Sequence, residues 1–431
     1  MSRIVLSCWG SYGDLFPYLG LAVELKARGH VPVIATCPIY RELVEAEGFE
    51  FQPVRPDIDP QDSEVIRRVM DPVKGSEVVI NELIAPYVRD AYADLQEATR
   101  GADLVLSHPA TVATPIVATE RKLRWLSTVL SPVSFFSTYD FPVLPPYAFL
   151  GSVTRSSRFA ARAFLSIARR ITGRWTAPVR AFRAERGLPD VGDPLYEGQF
   201  SPMGTLALFS PVLAQPQPDW PTTPVVTGFP FFNRAIPMPE GLVDFLDRGD
   251  PPIVFTLGSA ASGAPGAFYD ESVKAAALLG RRAVFLVSKY APVLSQSTLP
   301  AGMIVVEFAP HDTLFPRAAA TVHHGGIGTT GQALRSGKPM LVVPHAHDQP
   351  DNAARAARLG VARVLDAQKY TADRAAAHLR ALLDEPSYRT RADEVGHTVR
   401  AENGAKVACD AIEANLGTPE PRNPGTTTIK R

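Results

Sequence analysis

Cysteine, net charge and long apolar runs are all scarce in this sequence. Its three cysteines, Cys8, Cys37 and Cys409, are odd in number and far apart, which excludes a disulfide framework and a thiolate zinc site. The 44 basic and 44 acidic residues cancel, so we expect no nucleic-acid partner. The apolar run near the N-terminus is too short for a signal peptide or a membrane span, and we therefore predict a cytoplasmic protein.

Apolar residues make up 45% of the 431 residues, which is enough to bury large cores. Short apolar runs such as 3–7, 31–36 and 104–107 alternate with stretches of helical periodicity, and the alternation returns in the second half of the chain. Strands that alternate with helices form parallel sheets. The pattern therefore predicts an α/β protein with one parallel sheet in each half.

Proline marks the boundary between the halves. Thirty residues near the middle of the chain contain eight prolines, a density typical of a semi-rigid linker. We therefore expect an N-terminal domain over 1–214, a linker over 215–240 and a C-terminal domain over 241–400. A last helix over 401–416 is expected to return to the N-terminal domain, and the polar tail 417–431 is expected to be disordered.

The segment 141–184 contains eight arginines and no acidic residue. At helical spacing, four apolar residues share one face: Phe159, Phe164, Ile167 and Ile171. Four arginines fall on another: Arg158, Arg162, Arg169 and Arg170. Such a helix either packs its apolar side on the core of its own domain or makes weak peripheral contact with a membrane through residues 155–174.

A glycine-rich stretch, His323-His324-Gly325-Gly326-Ile327-Gly328-Thr329-Thr330-Gly331, lies between a predicted strand and a predicted helix. The N–H groups at the start of a helix, together with its dipole, attract a phosphate, and glycine lets the phosphate approach the backbone closely. His324 and the two threonine hydroxyls add further donors. The stretch therefore predicts a phosphate site.

Gly326, Gly328 and Gly331 also match the GxGxxG pattern of dinucleotide-binding domains, and Asp348 follows at a suitable distance. That pattern normally opens the first βαβ unit of its domain. Here three predicted strands of the same domain precede it. The context therefore argues against a nicotinamide or flavin enzyme.

A second polar cluster follows the next predicted strand and contains Asp348 and Gln349. In open α/β sheets, ligands bind outside the carboxyl ends of the strands, so this pair is expected beside the phosphate site. A carboxylate and an amide together suit the hydroxyl groups of a sugar. The alternative is that Asp348 caps the helix that follows it.

The run from Phe308 to Asn352 carries three motifs in succession, FAPHDxLFP, HHGGIGTT and GKPMxxxPxxxDQxxNA. It resembles the nucleotide-sugar signature of family 1 glycosyltransferases of the GT-B fold, and GSYGDLFPYLGLAVELKARGH resembles the start of their bacterial acceptor domains. The likeness is greatest to the rhamnosyltransferase chains of rhamnolipid synthesis and to sterol or macrolide glucosyltransferases. It implies two Rossmann-like domains with parallel sheets that face each other across a cleft, the first for acceptor and the second for donor.

The resemblance also assigns the donor-binding residues. Phe308 would stack on the base, and the backbone at Ala309 and His311 would contact the edge of the base. The residues assigned to the diphosphate are Ser259, His324, Gly326, Gly328 and Thr329. Asp348 and Gln349 would hold the hydroxyls of the sugar. Nucleotide-sugar transfer by this fold implies no cofactor and no metal, and Asp57-Ile58-Asp59 is discounted as a metal site because it lies in a proline-flanked loop far along the chain from the phosphate stretch.

The resemblance places the catalytic base in the run from Gly13 to Pro17, where Asp14 stands in place of the histidine of the plant enzymes. His108 follows a predicted strand near the position of their aspartate. Asp14, with or without His108, would take the proton of the acceptor while the sugar is transferred with inversion. The alternatives are that Asp14 caps the helix that follows it and that His108 bonds to backbone.

The acceptor site is less clearly marked. Aromatic residues and prolines between 131 and 149 indicate a hydrophobic acceptor, and we assign Tyr12, Phe135 and Phe136 to the wall of the acceptor site.

The expected reaction is transfer of a hexose, with UDP-glucose favoured as donor, to a hydroxyl or aromatic carbon of a small molecule or lipid. We expect the enzyme to be a monomer or homodimer. The alternatives are a dTDP-rhamnose-dependent transferase acting on a lipid, a nucleotide-sugar epimerase and a noncatalytic partner that binds nucleotide sugar.

Overall fold

The computed structural model describes residues 1–431 except 60–61, 146–150, 222–223, 235, 262, 264, 289–293 and 418–431; the side chains of 152, 259, 260 and 298 are also left out. The disorder predicted for the tail therefore falls, from residue 418 onward, outside the described residues.

Two parallel sheets form the framework, as the strand and helix alternation predicts. The first consists of β1 (Arg3–Ser7), β2 (Val31–Thr36), β3 (Glu50–Pro53), β4 (Leu104–Ser107), β5 (Trp125–Val129), β6 (Thr205–Ala207) and β7 (Pro224–Val226). The second consists of β8 (Ile253–Thr256), β9 (Ala283–Leu286), β10 (Met303–Val306), β11 (Ala320–His323), β12 (Met340–Val342) and β13 (Ala362–Val364). The predicted fold, two Rossmann-like domains with parallel sheets, is confirmed.

The strand orders are β3-β2-β1-β4-β5-β6-β7 and β10-β9-β8-β11-β12-β13. Each order reverses direction once, between β1 and β4 in the first sheet and between β8 and β11 in the second. Ligands of open α/β sheets bind at such reversal points, outside the carboxyl ends of the strands. The central strands are covered by helices on both faces, and Ile4, Val5 and Leu6 are fully buried as a result.

Helices connect the strands. Those of the N-terminal half are α1 (Tyr12–Ala27), α2 (Arg41–Ala46), α3 (Ser63–Val69), α4 (Gly75–Glu77), α5 (Val88–Ala98), α6 (Thr114–Arg121), α7 (Gly151–Ser156), α8 (Arg158–Thr172) and α9 (Ala177–Glu185). Those of the C-terminal half are α10 (Glu240–Asp247), α11 (Gly258–Ala261), α12 (Phe268–Leu278), α13 (His311–Leu314), α14 (Ile327–Ser336), α15 (Gln349–Arg358), α16 (Ala372–Asp384), α17 (Pro386–Ala401) and α18 (Gly404–Leu416). A π-helical segment, Val78–Ile84, follows α4, and short 3₁₀ segments include Pro132–Phe135 and Phe315–Arg317. None of the helices in the described ranges is long and apolar enough to span a bilayer.

The proline-rich segment 215–240 does more than connect the domains. It contributes β7, which pairs in parallel with β6 at the edge of the first sheet. Pro224 is the first residue of that strand, and proline is tolerated at the start of an edge strand because its missing N–H is not needed by a further neighbour.

The last helix, α18, packs on α1 of the N-terminal domain. Cys409 and Ile412 are fully buried in the same core cluster as Leu21 and Leu25. On the outer side, Arg28 donates from Nη1 to Asp410 and Glu413 at 2.7 Å each. The three cysteines are free and buried, as their number and spacing predict.

Candidate active site

A cavity of about 740 Å³ opens between the two domains, at the carboxyl ends of both sheets. It brings together nine of the residues predicted from the sequence: Asp14, His108, Phe136, His324, Gly326, Gly328, Thr329, Asp348 and Gln349. Residues that are far apart in the sequence meet here because β1 pairs with β4 and β8 pairs with β11.

Asp14 lies in the first turn of α1 and faces the cavity. Ser11 is the N-cap, and Asp14 Oδ2 accepts hydrogen bonds from the Ser11 N–H at 2.7 Å and from Ser11 Oγ at 3.0 Å. The capping alternative is therefore correct in part, since Asp14 completes a capping box with Ser11. A third of its side chain nevertheless remains exposed. Gly10 makes room for it, because a Cβ at Gly10 would lie 2.3 Å from Asp14 Oδ2.

His108 follows β4 and turns its Nε2 toward Asp14 Oδ1, at 3.5 Å. Its Nδ1 accepts a hydrogen bond from the backbone N–H of Ala110 at 3.1 Å, so the neutral ring carries its proton on Nε2. Burial alone would raise the pKa of Asp14, but the interaction with His108 and the bonds from Ser11 lower it below its ordinary value. Asp14 is therefore an ionised acceptor at neutral pH, with an imidazole N–H directed at it.

The predicted phosphate site is the turn from β11 into α14. Gly325 adopts φ +90°, and Gly326 occupies the N-cap position of α14 without any side-chain capping bond. The N–H groups of the first turn of α14 consequently have no protein cap and open on the cavity, with the positive end of the helix dipole behind them.

His324 lies between two glycines beside this helix terminus. A Cβ at Gly258 would approach its ring to 2.5 Å, and a Cβ at Gly326 would approach Nε2 to 2.4 Å. Burial, reinforced by His323 and His345, lowers the pKa of His324 well below its ordinary value, so the imidazole is neutral. Its Nδ1 is buried and has no hydrogen-bond partner among the described residues. His324 can thus offer hydrogen bonds to a ligand while the helix supplies the positive potential.

Asp348 and Gln349 lie at the start of α15. Asp348 is the N-cap residue, but its side chain makes no capping bond and instead accepts from Asn352 Nδ2 at 2.7 Å. Burial raises its pKa to about 7. Gln349 Oε1 accepts from the backbone N–H groups of His345 and Ala346, at 2.8 and 3.2 Å. The amide nitrogen of Gln349 is therefore the end of that side chain that can serve a ligand.

Asn352 is a site residue that the sequence analysis did not identify. It is fully buried, and its Nδ2 donates both to Asp348 and to the carbonyl of Gly325, the latter at 3.0 Å. Its Oδ1 accepts from Ser131 Oγ of the N-terminal domain at 2.8 Å. The last polar position of the DQxxNA motif was the signal that could have pointed to it.

A second feature that the sequence analysis missed is the apolar wall of the cavity. It comes from α3, the π-helical segment and α8, and includes Val65, Met70, Val79, Ile80, Phe164 and Leu165. Ile66 and Met70 also pack into the core cluster of the C-terminal domain, so α3 bridges the cleft. The helical periodicity of these segments did not distinguish a cavity wall from ordinary core.

The predicted base-binding residues lie beyond the cavity. Phe308, which follows β10, is 49% exposed. Ala309 is fully buried, and the ring of His311 at the start of α13 stacks on Phe315 with 4.4 Å between centroids. Burial lowers the pKa of His311 to about 4. Ser259 lies in α11, next to the phosphate turn, and its side chain is outside the described part.

Two of the predicted acceptor residues are packed elsewhere. Phe135 is in the core, where it stacks on Trp220 with 3.9 Å between ring centroids. Phe136 has φ +47°, and this left-handed turn lets consecutive aromatic residues point to different sides, so that only Phe136 lines the cavity. Tyr12 is partly buried and packs against Tyr40 and Phe16 beside the core of the first domain.

No group of three His, Cys, Asp or Glu side chains within the described ranges is arranged to hold a metal ion. Asp57 and Asp59 lie in the loop between β3 and α3, away from the phosphate turn.

Comparisons with known proteins identify the family of this chain. Residues 4–91 match the glycosyltransferase family 28 N-terminal domain, and residues 286–413 match the erythromycin biosynthesis protein CIII-like C-terminal domain. The chain is 35% identical to O-mycaminosyltylonolide 6-deoxyallosyltransferase of Streptomyces fradiae, over 95% of this chain and 97% of that protein. It is 28% identical to sterol 3-beta-glucosyltransferase of Leptosphaeria maculans, over 96% of this chain and 29% of that longer protein.

The fold has solved counterparts. The glycosyltransferase VinC, in complex with dTDP, superimposes with a TM-score of 0.67 at 23% identity and covers 96% of this chain and 99% of its own. The structural neighbours of this chain are GT-B glycosyltransferases, which confirms the GT-B fold. The chain is therefore a glycosyltransferase. It belongs to the family in which a glycosyltransferase family 28 N-terminal domain is followed by an erythromycin biosynthesis protein CIII-like C-terminal domain.

Proposed function

We propose that the enzyme transfers a hexose, with inversion, from a nucleoside diphosphate sugar to a hydroxyl of a hydrophobic natural product or lipid. The observation that carries this proposal is a single cavity with a carboxylate on one side and an uncapped helix terminus on the other. An acceptor oxygen beside Asp14 can attack the anomeric carbon while the diphosphate departs toward α14. The C–O bond to the diphosphate breaks as the new C–O bond forms, and the proton of the hydroxyl passes to Asp14.

Asp14, and not His108, is the base in this proposal. The backbone bond to His108 Nδ1 leaves the proton on Nε2, so the ring presents a donor and not a lone pair to the cavity. His108 then acts as a positioning residue that keeps Asp14 ionised and oriented. A positioned base of this kind contributes about 10²- to 10⁴-fold to the rate.

The departing diphosphate gains negative charge in the transition state. Four hydrogen-bond donors would stabilise that charge: the N–H groups of Gly328 and Thr329, the Thr329 hydroxyl and the His324 ring. Ser259 is retained as a further diphosphate contact by resemblance. These donors stand ready at a helix terminus, so stabilising the new charge needs no rearrangement, and no metal ion takes part in the proposal.

The contacts to the sugar and to the base of the nucleotide sugar are assigned from the positions of the residues. Asp348 and the amide nitrogen of Gln349 would bind sugar hydroxyls, since both line the cavity next to the phosphate turn. Phe308 is the platform on which the base would stack, because its ring is half exposed while the neighbouring Ala309 and His311 are packed.

The favoured donor is a dTDP-linked 6-deoxyhexose such as dTDP-rhamnose. The 35% identical relative is named as a 6-deoxyallosyltransferase, and VinC was solved with dTDP. UDP-glucose, which the sequence analysis favoured, remains the second candidate because a sterol 3-beta-glucosyltransferase is also similar over nearly the whole of this chain. The apolar wall of α3 and α8 suits a large hydrophobic acceptor in either case.

Thermal unfolding with nucleotides tests the proposal. A ligand of the folded state raises stability by RT ln(1 + [L]/Kd). We expect dTDP to stabilise the enzyme more than UDP does, with no effect of EDTA, and the stabilisation to be lost in His324→Ala. Hydrolysis of dTDP-rhamnose and UDP-glucose, followed with and without a hydrophobic alcohol, then identifies the donor. Stabilisation by neither nucleotide would refute the donor site, and a product that retains the anomeric configuration would refute the direct displacement.

A further inference from the structure

The outward face of α8 exposes apolar side chains among arginines. We define the basic apolar face by Phe159, Arg162, Ile167, Arg170 and Ile171. Phe159 is 84% exposed, Ile167 63% and Ile171 49%. The interpretation that the apolar side of this helix packs on its own core therefore fails for three of its four apolar residues.

The opposite face of α8 belongs to the cavity. Ala161 is buried, while Phe164, Leu165 and Ala168 line the cavity wall. Ile171 lies at the boundary, since it lines the cavity and is also half exposed on the basic apolar face. The rim of the acceptor cavity consequently reaches the outer surface of this helix.

The ionic side chains of α8 itself are all basic. Arg169 pairs with Glu197, and Arg158 lies over the ring of Tyr139 at 3.7 Å. Arg162 and Arg170 are exposed and have no acidic partner in the part of the chain that the structure describes. No acidic residue occurs anywhere between positions 141 and 184. The helix therefore lacks the pairs of opposite charge, three or four residues apart, with which an ordinary solvent-exposed helix neutralises itself.

We propose that the basic apolar face of α8 binds the surface of an anionic lipid bilayer. An interfacial helix inserts its apolar side chains among the lipid acyl chains while its arginines reach the anionic headgroups. Because Ile171 joins this face to the cavity rim, docking would present the cavity to an acceptor dissolved in the bilayer. Only the delivery of an acceptor from the bilayer rests on the proposed function. Lipid binding itself is independent of catalysis.

Vesicle flotation tests the docking. We expect the purified enzyme to float with vesicles of phosphatidylcholine and phosphatidylglycerol, to stay in solution with phosphatidylcholine alone, and to be released at high salt. Each arginine at an anionic surface contributes about fivefold to partitioning, so Arg162→Glu with Arg170→Glu should weaken binding at least about twentyfold. Phe159→Ser with Ile167→Ser should weaken it without a change of charge.

The control variant carries Arg380→Glu and Arg389→Glu, the same change of charge at exposed positions on α16 and α17, and should float like the wild type. Thermal stabilisation by dTDP, measured on every variant, shows that the protein is folded and tests the donor site separately. Equal flotation with both kinds of vesicle, or none with either, would overturn the proposal. So would a wild-type dimer in solution that both α8 variants dissociate, because the face would then cover a second copy of the chain.

Discussion

The side-chain amide of Asn352 donates a hydrogen bond to Asp348 Oδ2 at 2.7 Å, one helical turn away on α15. The same Nδ2 also donates to the carbonyl of Gly325 in the phosphate turn, and Oδ1 of Asn352 accepts from Ser131 Oγ of the opposite domain. One buried amide thus connects the proposed sugar contact, the phosphate turn and the contact between the domains. A buried amide whose bonds are all made is costly to remove, because each former partner is left unsatisfied.

Asn352→Ala should therefore weaken donor binding by about tenfold to hundredfold, since its two partners on the donor side, the Asp348 carboxylate and the Gly325 carbonyl, each lose a hydrogen bond. The Asn352 bond also lowers the pKa of Asp348, so the variant should raise that pKa further. Titration calorimetry with the nucleotide sugar and the pH profile of the rate measure the two effects. Ser131→Ala, which removes only the bond between the domains, is the matched control and should leave the pH profile of the rate unchanged. An Asn352→Ala protein with a lower Tm but unchanged donor affinity and pH profile would contradict this role.

Replacing His108 should separate a positioning residue from a base. His108 lowers the pKa of Asp14, so in His108→Ala that pKa rises and the acid limb of the rate profile moves to higher pH. The rate should recover as the pH is raised, whereas Asp14→Asn should stay about 10²- to 10⁴-fold slow at every pH. Asp14→Asn also removes a capping carboxylate from α1. Asp366→Asn, which removes a capping carboxylate in the other domain, is the control for that effect. A His108→Ala enzyme as inactive as Asp14→Asn at high pH would make His108 the base.

Gly326→Ala should disturb the His324 ring. The new methyl group would lie 2.4 Å from Nε2, so the ring must move away from the phosphate turn. Loss of one bond to a charged ligand corresponds to affinity for dTDP about tenfold to hundredfold weaker. Gly241→Ala, where a Cβ meets nothing within 4 Å, is the control. Undiminished affinity in Gly326→Ala would show that the diphosphate does not depend on His324.

The stability of the unliganded enzyme should depend on pH through Asp348. Burial raises its pKa to about 7 in the folded state, compared with about 4 in the unfolded chain. The folded form keeps its proton where the unfolded form has lost it, so this contribution is present below about pH 4 and is lost as the pH rises through 7. Asp348→Asn cannot titrate, and urea unfolding should show it gaining stability relative to wild type between pH 5 and pH 8. A constant difference across that range would mean that Asp348 is ionised throughout.

The sequence by itself determined the two parallel sheets, because strands and helices alternate and the apolar runs are too short for anything but buried strands. It also predicted the glycine-rich turn between β11 and α14 as a phosphate site, since glycines at the entrance to a helix leave backbone N–H groups open to an anion. Asp348 and Gln349 followed from the next strand end. These features depend on local spacing, and local spacing is visible in a sequence.

Only the tertiary structure decided which residues meet. Asp14 and His108 approach each other because β1 pairs with β4, a register that no local pattern contains. Phe135 and Phe136 are adjacent and chemically alike, yet a left-handed turn sends one to the core and the other to the cavity. The sequence contained signals for Asn352 and for the amphipathic face of α8, but only the structure decided that Asn352 is buried and that Phe159 and Ile167 are exposed, because burial depends on what the rest of the chain packs against.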